Sequence, residues 1–107
     1  MSTKLIKLED NDGNQMIPQV TQRTYLQSSG TQTYTLIQGI YMLYVARWSA
    51  SAPSQGVYFI QAHANTSCVV PLVTSGAATV DINSLTLTVT TTSNWVTLLL
   101  QPLYVSP

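Results

Sequence analysis

The sequence predicts an all-β protein. Residues 33–107 read as an antiparallel, jelly-roll-like sandwich of about seven short strands, and residues 1–32 as an N-terminal hairpin followed by an extended arm. Three observations carry that expectation. From Tyr34 onward, β-branched and aromatic residues run in short stretches broken by turn-forming residues, the pattern of a sandwich or barrel. The stretch LTLTVT at 85–90 alternates with a period of two, which sets Leu85, Leu87 and Val89 on one face and Thr86, Thr88 and Thr90 on the other. No helical stripe, heptad or internal repeat interrupts this, so a helix is expected at most as a single turn.

Taken in order, residues 4–8 (KLIKL) form a short extended run, Asp12-Gly13 is a strong turn dipeptide, and Met16-Ile17 resumes an apolar strand before Pro18. A two-stranded hairpin is marginal in water, so this piece has to dock on the rest of the chain or on a neighbour. Residues 19–33 (QVTQRTYLQSSGTQT) are polar around Ser28-Ser29-Gly30 and read as a linker or arm with a short strand near Tyr25-Leu26. The seven body strands are then expected at 33–37, 40–49, 57–64, 68–73, 78–82, 85–92 and 95–104. Gly39, the 51–56 segment, Ser75-Gly76, Asn83-Ser84 and Ser93-Asn94 supply the turns between them. The strand at 40–46 (IYMLYVA) is apolar on both faces, and so is 96–100 apart from Thr97. Strands of that kind call for cover on both sides.

The charge distribution is the least ordinary property. The chain has 107 residues, of which four are Lys or Arg and four Asp or Glu. Lys4, Lys7, Glu9, Asp10 and Asp12 precede residue 13, leaving Arg23, Arg47 and Asp81 for everything after. With 7% charged residues against a usual value of about 25%, the polar surface has to be made by Thr, Ser, Gln and Asn. Zero formal net charge and scattered cations leave no footprint for nucleic acid and no polybasic patch for a membrane. The N-terminus has no apolar core after its lysines, and no run approaches the length of a membrane span. The single cysteine, Cys68, suits synthesis in a reducing cytoplasm.

Catalytic and metal-binding chemistry is sparse. Glu9, Asp10 and Asp12 flank a turn, where carboxylates ordinarily cap backbone donors. His63, Asn65 and Cys68 contain the residue types of a thiol nucleophile with its base, yet nothing nearby would activate the thiol. One His and one Cys without a close carboxylate cannot fill a zinc site. No enzyme activity, metal or cofactor is expected. Aromatic residues offer a better binding chemistry. Trp48 and Trp95, each beside a loop, are the candidate glycan contacts, and a carbohydrate-binding sandwich is the alternative reading of the whole chain.

A β body with so few charges invites self-association unless copies of it cover one another. A closed homotrimer satisfies that requirement, with Tyr41, Leu43, Tyr58 and Leu99 as candidate interface residues.

The segment DNDGNQMIPQVT at 10–21 resembles the N-terminal segment of bacteriophage tail-fibre, baseplate and capsid-fibre proteins. The shared features are an acidic turn with Gly-Asn, then Ile-Pro, then Thr, ahead of a β-rich body. The resemblance implies a virion protein made in the host bacterial cytoplasm. It implies attachment to other virion proteins through residues 1–32, chiefly Leu5, Leu8, Asp12, Gly13, Ile17 and Pro18, and a trimeric head that contacts the host surface, including its glycans. Because no long repetitive shaft separates hairpin and body, the expectation is a short fibre, spike, decoration or tail protein.

Overall fold

The computed structural model describes residues 21–48 and 54–105 throughout and, within the N-terminal segment, the backbone of 2–4, 8–9 and 15–16. Among the described residues there are eleven strands and no helix. They are β1 (Ser2–Lys4), β2 (Leu8–Glu9), β3 (Gln15–Met16), β4 (Gln22–Leu26), β5 (Gly30–Thr35) and β6 (Gly39–Arg47), followed by β7 (Ser54–Ala62), β8 (Cys68–Val73), β9 (Ala78–Asn83), β10 (Thr86–Thr91) and β11 (Val96–Val105). The fold is an all-β sandwich.

One layer has five strands in the order β4-β11-β6-β7-β8, and the other has four in the order β1-β5-β10-β9. All pairings are antiparallel except that of β1, which runs parallel to the edge of β5 with Ser2 opposite Thr33 and Lys4 opposite Thr35. The chain crosses between layers at β4–β5, β5–β6, β8–β9 and β10–β11, while β6, β7 and β8 stay together as a meander. The hairpin expected near the N-terminus is represented by β2 and β3, with Leu8 opposite Met16 and Glu9 opposite Gln15. Its turn at Asp12-Gly13 lies outside the described residues.

Each of the seven body strands forms where alternation and turn residues place it, with ends shifted by a few residues. The arm differs. Residues Gln22–Leu26, read as linker with a short strand near its end, form β4 and pair with β11 from Leu26 opposite Val96 to Gln22 opposite Leu100. The sandwich therefore has eight strands from β4 onward and begins at Gln22, ten residues or so before the boundary expected at 33. Polarity concealed this strand, since its outward residues, Arg23 and Tyr25, are exposed while Gln22, Thr24 and Leu26 are only half-buried.

The core lies between the layers. Tyr41, Leu43 and Val45 from β6, Tyr58 and Ile60 from β7, and Val96, Leu98 and Leu100 from β11 face Tyr34, Leu87 and Val89 from the other layer. Burial of side chains of this size contributes about 1.5–3 kcal/mol each and is the main source of stability. The tyrosines reach the core with their hydroxyls satisfied. Tyr34 Oη lies 2.8 Å from Thr24 Oγ1, linking β5 to β4 across the layers. Tyr41 donates to the Ile37 carbonyl, and Tyr58 Oη accepts the Ser75 N–H at 2.9 Å. Burial raises the pKa of the Tyr34 phenol, partly offset by its hydrogen bond with Thr24, and pushes that of Tyr41 up to about 12. A phenol that stays neutral in the folded chain while ionising in the unfolded one stabilises fully below pH 10, and its contribution is lost as pH rises toward 12. The Tyr41→Phe variant should accordingly show a shallower loss of stability across that window in denaturant titrations. An unchanged slope would assign the loss elsewhere.

Candidate functional site

The outward faces of the two layers are chemically opposite. On the four-stranded layer, Thr31, Thr33 and Thr35 of β5 lie beside Thr90, Thr88 and Thr86 of β10, which lie beside Thr79, Asp81 and Asn83 of β9. Among these residues the face is made of hydroxyls with one amide and one carboxylate, as the alternation at 85–90 leads one to expect.

The five-stranded layer presents apolar rows instead. Cross-strand register aligns Arg23, Leu99, Tyr44, Val57 and Val73 in one row, Gln101, Met42, Phe59 and Val70 in the next, and Tyr104, Ile40, Gln61 and Cys68 in a third. Tyr44, Val70, Val73 and Tyr104 are exposed, as is Leu72 at the bulged end of β8. The only charge on this face among the described residues is Arg23, at its β4 edge. With strands about 4.8 Å apart and residues about 3.3 Å apart along them, the apolar area is on the order of 400 Å². That is the size of the largest apolar patch on a typical soluble monomer, which is often a functional surface.

Three of the four residues expected at an oligomer interface face the other way. Tyr41 and Leu43 are completely buried and Tyr58 nearly so, all within the chain's own core. Both faces of 40–46 are apolar, so alternation identifies two sets without saying which points inward; the set of Tyr41, Leu43 and Val45 fills the core, and Ile40, Met42 and Tyr44 point out. Leu99 is half-buried on the outer face.

At the β4 corner of this face lies a cleft of about 620 Å³ lined by Arg23, Tyr25, Trp48, Thr97 and Leu99. Tyr25 stands opposite Thr97 and Arg23 opposite Leu99, so Thr97 and Leu99 form the floor between β4 and the end of β6. Trp48 follows the last residue of β6 and is fixed twice. Its backbone N–H donates to the Trp95 carbonyl at 3.0 Å, and its indole Nε1–H donates to Thr97 Oγ1 at 2.8 Å. The ring remains 66% exposed and Tyr25 55% exposed. Trp95, also exposed, does not line the cleft; its backbone is left-handed at φ 60, a conformation bulky residues seldom adopt, and its carbonyl holds Trp48. The sequence singles out Trp48 and counts Tyr25 only among the aromatics, with a strand near Tyr25-Leu26; Arg23 escapes it because β4 reads as linker.

The residues singled out for other chemistry are not assembled into a site. His63 Nδ1 accepts the Asn65 N–H at 3.0 Å, closing a turn between β7 and β8, and Cys68 is exposed on the edge strand opposite Gln61. His63 also borders a smaller hollow of about 210 Å³ with Gln38, Gly39 and Tyr104. Among the described residues no group of three or more His, Cys, Asp or Glu side chains could hold a metal ion. Of the expected attachment residues, Leu8 lies in β2, and Leu5, Asp12, Gly13, Ile17 and Pro18 lie outside the described residues.

No protein-family model matches the chain, and no curated protein matches it. Among solved structures, the chain is similar to the Acinetobacter phage vB_ApiP_P1 tailspike protein, with 9% sequence identity and a TM-score of 0.47 over 78% of this chain. The match covers 21% of that tailspike, so this chain spans about a fifth of its length.

Proposed function

We propose that the chain is a structural component of a bacteriophage particle: a short fibre, spike, decoration or tail protein that joins the particle through its N-terminal segment and presents a homotrimeric β head. The observation that carries the reading is the apolar outer face of the five-stranded layer, charged only at Arg23 on its rim, which an isolated chain would leave in water. Copies of the chain suit it as a cover. The face offers no charge to repel a second copy except Arg23 at the rim, and a closed ring buries it without leaving a free side for further growth. The threonine face of the other layer then becomes the exterior. The N-terminal assignment rests on the likeness of residues 10–21 to phage virion proteins and on the concentration of charge before residue 13, which gives that segment a surface unlike that of the body.

Light scattering on the purified chain should return the mass of three chains. Mass spectrometry of purified particles carrying the gene should find the chain in multiples of three copies. A monomer at high concentration together with its absence from particles overturns the proposal.

A further inference from the structure

We infer that the Trp48 cleft binds a saccharide bearing a carboxylate, such as a uronic or sialic acid unit, with the sugar ring against Trp48 and Tyr25 and its carboxylate on Arg23. The cleft shares Arg23 and Leu99 with the face assigned to copies of the chain, so the inference requires that the assembly leave this β4 corner open.

Four features of the cleft converge on that ligand class. The first is charge. Arg23 is exposed, and the only carboxylate in residues 21–105 is Asp81, which sits on the outer face of the opposite layer. A guanidinium on an apolar sheet face favours an incoming carboxylate, to which it can donate two parallel hydrogen bonds. The second is the pair of aromatic walls, Trp48 and Tyr25, each more than half exposed and each with an apolar ring face. The third is fixation. The Trp48 indole is tied to Thr97 Oγ1 and its backbone to Trp95, so little ordering remains to oppose binding. The fourth is placement: Tyr25 and Arg23 are two residues apart on one strand, so both point to the same face about 6.6 Å apart, within reach of one ligand.

Other anions fit less well. A lone phosphate would leave both aromatic walls unused, and a nucleic acid strand needs a row of cations where this face has one. A wholly apolar peptide would strip water from Arg23 with nothing to replace it.

The test is calorimetric titration of the full chain with trigalacturonate and with sialyllactose, and with the methyl ester of each, in which the acids are neutralised on the same sugar frame. Trigalacturonate or sialyllactose should bind, and the methyl ester of whichever acid binds should bind about tenfold more weakly, the size of a partly exposed charge-assisted contact. Arg23→Gln should bring the affinity for the acid down to that for the ester and leave the ester unchanged. Trp48→Ala should remove binding of both by more than tenfold, and Thr97→Val, which frees the indole, should weaken both equally. Retained circular dichroism shows that each variant is folded. Failure of both acids to bind, equal binding of acid and ester, or an acid affinity indifferent to Arg23→Gln overturns the inference. A change in oligomer mass in Arg23→Gln without saccharide binding would also overturn it, by giving the cleft to a contact of the chain with itself.

Discussion

Leu43→Asp is expected to abolish folding, while Met42→Asp, one residue away on the same strand, is expected to leave a folded chain in which the proposed self-contact fails. Leu43 is fully buried between the layers beside Tyr58 of β7 and Leu100 of β11. A carboxylate there loses the burial of the leucine and must either ionise without a partner or take up a proton, at a cost of several kcal/mol. Whole domains are stable by only about 5–15 kcal/mol, so most or all of the margin goes. Met42 is half-buried on the outer face, between Gln101 and Phe59. A carboxylate at Met42 stays hydrated in the separated chain and becomes unpaired and desolvated only when copies close over it. Far-ultraviolet circular dichroism and light scattering on the two variants separate the outcomes. If Met42→Asp retains the oligomer mass of the parent chain, the self-contact lies elsewhere.

Gly39→Ala is the second substitution with a large expected effect. Gly39 opens β6 opposite Val105, beyond the register shift in β11 between Pro102 and Tyr104. A Cβ on Gly39 would run into the Tyr104 carbonyl oxygen and come within 2.9 Å of Val105 Cα. Both obstacles are main chain, so neither can rotate away, and the β6–β11 ladder has to part at this end. A loss of about 2–4 kcal/mol is expected, in the range of other overpacked or strained sites. A less severe clash exists at Gly56, where the added carbon would meet Ser75 Cβ and the Tyr58 ring at 2.8 Å, and the loss there should be smaller. Urea unfolding of Gly39→Ala would check the figure; a change within about 0.5 kcal/mol, the range of ordinary surface substitutions, contradicts it.

The body strands were legible because their chemistry alternates against a fixed inward direction. In 85–90 the contrast between Leu or Val and Thr leaves one choice, and Leu87 and Val89 are indeed fully buried while the threonines point out. In 40–46 that contrast is missing. The sequence there announces two apolar faces but not their orientation, so Tyr41 and Leu43 are as plausible outside as inside until the second layer is in place. The arm was obscure for the opposite reason. Gln22, Arg23 and Thr24 have no apolar partner in sequence, and β4 exists because β11 offers a free edge and Thr24 can meet the Tyr34 hydroxyl. Since Arg23 and Tyr25 belong to β4, the cleft was only half visible: Trp48 stood out as an aromatic near a loop, whereas its neighbours were brought to it by a strand pairing 70 or so residues apart in sequence.

The threonine rows of the four-stranded layer bear on how such a molecule stays dispersed. Most soluble proteins keep apart through ionised groups, whose mutual repulsion fades in brine or near the isoelectric point. Here the outward face of one layer is hydroxyl and amide with Asp81 as its one carboxylate among the described residues, so little of its hydration depends on an ion atmosphere to be screened. Such a face keeps nearly the same outer character from dilute to saline surroundings.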